Sequence, residues 1–211
     1  MVGPGVVSWN RVTGRALAAT IGVVGSACTA GSRPSATPPD RPTTAETPSD
    51  PSVAHLLNRS LHFPVVAPDG ACPTTHGKVV TTASFHGTAL GHGLVRPILA
   101  EQNSALAKNG AAVLHPSDAP PWLAVKVLWF SVPSYEGPFV IRAKRLDRLG
   151  PAELGPPPSN KPLFVPAANA NAAKGYRTSP GGTYVRTAGC YGWQVDGLTF
   201  SEDIVVHLLA A

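Results

Sequence analysis

Residues Gly189–Leu208 read GCYGWQVDGLTFSEDIVVHL and place a cysteine, three aromatic residues and three carboxylates within twenty positions. Two apolar runs, Tyr191–Val195 and Leu198–Leu209, flank Asp196-Gly197. Aspartate followed by glycine between two such runs marks a tight hairpin, because a type I′ turn needs positive φ at both central residues. The stretch is therefore expected to be the last hairpin of a β-fold, with Asp196 and Gly197 at its tip. Its acids do not make a catalytic pair. Glu202 and Asp203 are neighbours, and neighbours in a strand point to opposite faces.

Working outward, apolar residues recur with period two more often than with the helical period. In Leu123–Val132 (LAVKVLWFSV), Leu123, Val125, Val127 and Trp129 share one face, and Ala124, Lys126, Leu128 and Phe130 share the other. Phe139–Leu146 (FVIRAKRL) alternates less cleanly. Leu61–Val66, Lys78–Ser84, Val95–Leu99, Thr183–Thr187, Tyr191–Val195 and Ile204–Leu209 are further strand candidates. The chain holds 21 glycines and 23 prolines, too much punctuation for long helices. About eight short strands separated by Gly/Pro turns predict an all-β, Ig-like antiparallel β-sandwich over residues 53–211. Ala100–Val113 is the one helical candidate, interrupted by Asn109-Gly110, and Gly155–Pro158 and Pro166–Lys174 read as exposed loops.

The N-terminal part reads differently. Arg11 and Arg15 precede the apolar run Ala16–Val24 and then Gly25-Ser26-Ala27-Cys28, the layout of a secretory signal. This nine-residue run falls well short of the ~20 residues that a spanning helix needs. Thr29–Ser52 contains six prolines, many Ser/Thr and almost no aliphatic residues, a composition that cannot bury enough apolar surface to offset its ordering entropy. Residues 28–52 are thus expected to be a linker. Removing residues 1–27 leaves fifteen Lys/Arg against twelve Asp/Glu, with no basic run and no cations interleaved with aromatics, which argues against a nucleic-acid partner. The remaining cysteines flank the domain, and in an exported chain Cys72 is the candidate disulfide partner of Cys190.

Two resemblances follow. Gly25–Cys28 resembles the lipobox of bacterial lipoproteins, although Gly25 stands where that signal usually carries a bulky aliphatic residue. The likeness implies cleavage before Cys28, lipidation of its thiol and a lipid-anchored location on the extracytoplasmic face of the cell membrane. The terminal stretch is similar to the signature of a group of uncharacterised bacterial exported proteins and lipoproteins, matched here by Gly189, Cys190, Tyr191, Gln194, Asp196, Gly197, Phe200, Ser201 and Glu202. Trp129, Gly137-Pro138 and Arg145-Leu146-Asp147 are weaker marks of the same group, whose likeness spans most of Cys72–Leu208. It implies domain limits and brings no mechanism.

Constellations with chemical potential are few. His76, His86 and His92 lie within seventeen residues, but their spacings match no paired metal-ligand pattern. Ser201 and His207 share a face, yet six residues of strand separate them by about 20 Å. No GxSxG elbow occurs. Trp129, with Trp193 or Tyr191, is expected in the core, whereas the proline-flanked Trp122 and Tyr135 are candidates for ligand stacking. The leading expectation is a non-catalytic binding or interaction module without cofactor, its partner an envelope protein or glycan. A metal-dependent extracytoplasmic hydrolase using the three histidines, and a carbohydrate-binding module around Trp122 and Tyr135, are the alternatives.

Overall fold

The computed structural model describes residues 51–68, 70–82, 85–99, 103–167 and 175–211. The stretch expected to be an export signal, Cys28 and nearly all of the expected linker lie outside the described residues, as does most of the loop expected at 166–174. The described chain folds into two β-sheets. The seven-stranded sheet contains β1 (Gly77–Thr81), β2 (His86–Leu90), β3 (Val95–Leu99), β6 (Leu123–Ser131), β10 (Arg177–Val185) and β8 (Ala152–Leu154) in that spatial order, with β5 (His115–Pro116) also paired to β6. The five-stranded sheet runs β4 (Ala111–Val113), β12 (Phe200–Leu209), β11 (Gly189–Gly197), β7 (Phe139–Arg145) and β9 (Leu163–Val165).

The all-β sandwich agrees with the sequence pattern. The order β3-β6-β10-β8 opposite β12-β11-β7 matches the ABED and GFC sheets of an Ig-type sandwich. A tyrosine corner accompanies it: Tyr191, near the start of β11, donates its hydroxyl to the Thr187 carbonyl at 2.7 Å. There are departures. The β1–β2 hairpin widens the first sheet, β9 pairs with β7 although it follows β8 in the chain, and β4 runs parallel to β12.

Twelve strands replace the expected eight. Four of the additions, β4, β5, β8 and β9, are two or three residues long, too short to carry a period. The fifth, β2, reads HGTAL, and its glycine resembled a turn. The helical candidate at 100–113 shrinks to α2 (Ser104–Ala107), and Ala111–Val113 becomes a strand. Leu61–Val66 is not a strand. A helix, α1 (Pro51–Leu57), precedes it, and its first residue lies two positions before the expected domain start.

The core forms where the alternation placed it. Val125, Val127 and Trp129 of β6 are buried, and Trp129 meets Trp193 of β11 edge-to-face at 5.6 Å across the sandwich. The Trp193 indole N–H donates to Thr183 Oγ1 at 3.0 Å, so the buried ring leaves no orphan donor. On the opposite face of β6, Phe130 joins Phe85 and Tyr176 in a second, smaller apolar cluster.

Candidate functional site

The last hairpin exists, but its tip is Leu198-Thr199 and not Asp196-Gly197. Gly197 pairs with Phe200, and Asp196 lies directly opposite Ser201 inside the ladder. Neither Gly197 nor the tip residues have positive φ. Gly197 is glycine for space: a Cβ there would collide with the Phe200 ring and meet the Tyr135 hydroxyl at 2.6 Å. Asp196 is fully buried on the outward face of β11, where a carboxylate needs partners.

Its hydrogen-bond partners are Arg142, Gln194 and Ser201 on the same sheet, and a strap, residues 51–66, is laid over that outward face and brings Arg59 to 3.9 Å from the carboxylate. Val53 and Leu56 of α1 are buried, and α1 packs against β7. Beyond α1 the strap is held through its backbone. Gln194 Oε1 accepts the His62 N–H at 2.8 Å, and Gln194 Nε2 donates to the Ser60 carbonyl at 2.8 Å. Its amide thus pairs with a peptide as a neighbouring strand would. Arg142 donates to the Leu57 and Arg59 carbonyls with Nη1 and to Asp196 Oδ2, 2.7 Å away, with Nη2. Arg59 returns across the hairpin to the Phe200 carbonyl at 2.7 Å and the Leu198 carbonyl at 3.1 Å. Asp196 is the hub, accepting also from Gln194 Nε2 and, at 2.7 Å, from Ser201 Oγ.

Phe63 completes the strap. Its ring lies over Gly192, where a Cβ would come within 2.6 Å of Cδ1. Gly192→Ala is expected to push the ring aside and loosen the strap at a cost of about 1–3 kcal/mol. Limited proteolysis should then cut within 51–66, while the near-ultraviolet signal of the Trp129–Trp193 pair is unchanged.

Asp203, opposite Gln194, is the dissonant member. Its Oδ1 is buried without a hydrogen-bond partner among the described residues. Burial pushes its carboxyl above the usual range and the Asp196 charge adds to this, against smaller opposing effects of His62 and Arg142. A carboxyl that binds its proton more tightly when folded contributes stability that is full below the unfolded value near 3.9 and is lost as pH rises through the folded value. Asp203→Asn is accordingly expected to raise the urea midpoint at pH 7, with the gain vanishing below about pH 4.

The other residues of the terminal stretch are equally engaged. Cys190 is bonded to Cys72 with Cα atoms 5.5 Å apart, as the cysteine pattern predicts. Glu202 Oε1 accepts the backbone N–H groups of His92 and Gly93, tying the β2–β3 turn to β12. Arg145 donates to Asp147 at 2.7 Å, to Thr187 Oγ1 and to the Ala188 carbonyl, bracing the turn into β11. Burial pushes the Asp147 carboxyl up, but the Arg145 guanidinium and the Cys190 backbone N–H more than offset this and hold it below the usual range.

The other candidates are scattered. Trp122 and Tyr135, 9% and 7% exposed, flank opposite ends of β6, a nine-residue strand roughly 30 Å long. Arg186 stacks over Trp122 at 4.2 Å. The Tyr135 hydroxyl donates to the Pro138 carbonyl and accepts the Leu198 N–H. Among the histidines, His76 adjoins the Gly77–Leu90 end of the β1–β2 hairpin, where Gly91 donates to its carbonyl. His86 pairs with Thr81 at the other end, about 13 Å along the strand. Among the described residues no group of three His, Cys, Asp or Glu side chains is placed to hold a metal ion. An open cleft of about 1070 Å³ on the seven-stranded sheet is lined by His86, His115, Asp118, Lys126 and Tyr184 among others. It includes neither Trp122 nor Tyr135.

No family model matches the chain, and no curated protein matches it. Arg142, Arg59, Ser60 and His62 were not singled out from the sequence. The available signal was Arg142 itself, a cation directly after the apolar Phe139-Val140-Ile141.

Proposed function

We propose that the protein is a cell-envelope lipoprotein, anchored through Cys28 on the extracytoplasmic face of the membrane, whose sandwich domain is a non-catalytic binding and interaction module. The Cys72–Cys190 disulfide carries this reading, because such bonds persist in oxidising compartments and are rare in the cytosol. The signal-like residues 11–28 and the Pro/Ser/Thr-rich stretch that follows support it from the other end of the chain. The polar side chains of the terminal stretch support the non-catalytic part. Gln194, Asp196, Ser201 and Glu202 are occupied by internal hydrogen bonds that hold the strap and the β2–β3 turn.

The test is the intact mass, without reductant, of protein recovered from membranes of a bacterial host. The proposal requires residues 28–211 plus a lipid adduct, less two hydrogens for the disulfide. An unprocessed and fully reduced chain would overturn export, anchoring and staple together.

A further inference from the structure

The strap occupies a groove that has the properties of a peptide-docking site. Its floor is the outward face of β7, β11 and β12, and its contacts to residues 57–62, the end of α1 and the irregular segment that follows it, fall mainly on backbone groups: the carbonyls of Leu57, Arg59 and Ser60 and the N–H of His62. Two side chains fix the register, Arg59 over the hairpin tip and Phe63 in the hollow left by Gly192. This is how an extended segment is bound in trans, by main-chain hydrogen bonds for affinity and side-chain pockets for register.

The connection to the rest of the domain is slight. Residues 64, 65, 67, 68, 70 and 71 are exposed, Val65 fully so, and among the described residues of this stretch the Gly70 N–H donates to the Ala67 carbonyl. From Cys72 onward the chain is stapled to β11. The strap is thus a separable element that ends at a covalent stop.

We infer that this groove is an interaction surface between copies of the chain, in which the strap of one copy docks on the β7–β11–β12 face of another. The inference rests on the proposed role as an interaction module and names its partner. A second copy is the occupant the geometry favours, since its strap reproduces every contact made within one chain, and exchange of an identical element across an exposed hinge needs no new interface. Residues 28–50 precede the strap, so a copy anchored at Cys28 has 23 residues with which to reach a neighbour.

The experiment mixes two full-length mature chains in solution, independent of lipidation. One is isotopically heavy wild type; the other carries Arg59→Ala and Phe63→Ala, which weaken its own strap and leave its groove intact. Native mass spectrometry is expected to show a mixed dimer, lost when Gln194→Ala is added to the second chain. A labelled peptide of residues 51–66 should bind the weakened chain saturably, and its Phe63→Ala version roughly tenfold more weakly or worse. Absence of both mixed dimer and saturable peptide binding, in a chain whose tryptophan near-ultraviolet signal is native, would overturn the inference. So would a dimer indifferent to Gln194→Ala. If the weakened chain does not fold, the test passes to wild type alone. Heavy and light copies should then form mixed dimers after brief warming, and persistence as monomers would refute strap exchange. None of these outcomes bears on the lipid at Cys28, so a failed anchor and a failed groove remain distinguishable.

Discussion

Asp196→Ala is expected to lower stability by about 3–5 kcal/mol, a large part of the 5–15 kcal/mol of an ordinary domain. The carboxylate is fully buried and holds Arg142 at 2.7 Å, Ser201 at 2.7 Å and the Gln194 amide at 3.1 Å. Removing it leaves a guanidinium in a buried site without its counter-charge, which costs more than the pair itself contributes. The loss should show as a lower denaturant midpoint with an unchanged slope, since the exposed area on unfolding is the same. Arg142→Met together with Asp196→Leu, which removes both charges, should recover part of the deficit, because an apolar pair leaves no orphaned charge. Equal losses for the single and the double substitution would show that the site is ordinary packing and not a charge hub.

The second large effect is the staple. Cys72→Ser with Cys190→Ser is expected to cost about 4–5 kcal/mol in the chain-entropy treatment, because the bond closes a loop with a sequence separation of 118. The closed loop contains every strand up to β11, so the reduced unfolded chain regains nearly all the freedom of the domain. Thermal unfolding with and without reductant measures it. The wild-type protein in reductant and the double variant without it should melt at the same lowered temperature. A double variant as stable as the oxidised protein would mean that the staple contributes nothing to the sandwich.

The sequence disclosed the architecture wherever one side of a strand was apolar and the run was long. Leu123–Val132 announced β6, the faces of Val125, Val127 and Trp129, and through Trp193 the aromatic contact at the centre. The two cysteines of the domain announced the staple because the third, Cys28, stands in the signal-like stretch. Asp196-Gly197 misled for a definite reason. The pair has the composition of a type I′ turn, but the buried network claims the aspartate and close packing claims the glycine, so the chain turns two residues later with ordinary φ values. Local turn chemistry was overridden by tertiary contacts of Asp196 with Arg142 and of Gly197 with Tyr135.

The strap was illegible for the same reason. Leu61–Val66 alternates like a strand, but the His62 N–H goes to the side chain of Gln194, 132 positions away. A side-chain amide that stands in for a strand leaves no periodic trace. The terminal stretch singled out in the sequence includes Gln194, Asp196, Gly197 and Ser201, without saying what they hold. In the structure Gln194 binds the strap, Asp196 and Ser201 hold the Arg142 that binds it, and Gly197 makes room for Phe200 and Tyr135.

The backbone amide of His62 tests that purpose most directly, because it donates to Gln194 Oε1 across the whole length of the domain. Its hydrogen-exchange rate should be slowed well below that of the fully exposed Val65 in wild type. In Gln194→Ala it should rise to the rate of an unprotected amide, while the amides of β6 stay protected. Free exchange at His62 in the wild-type protein would contradict the strap, and with it the role assigned to the terminal stretch.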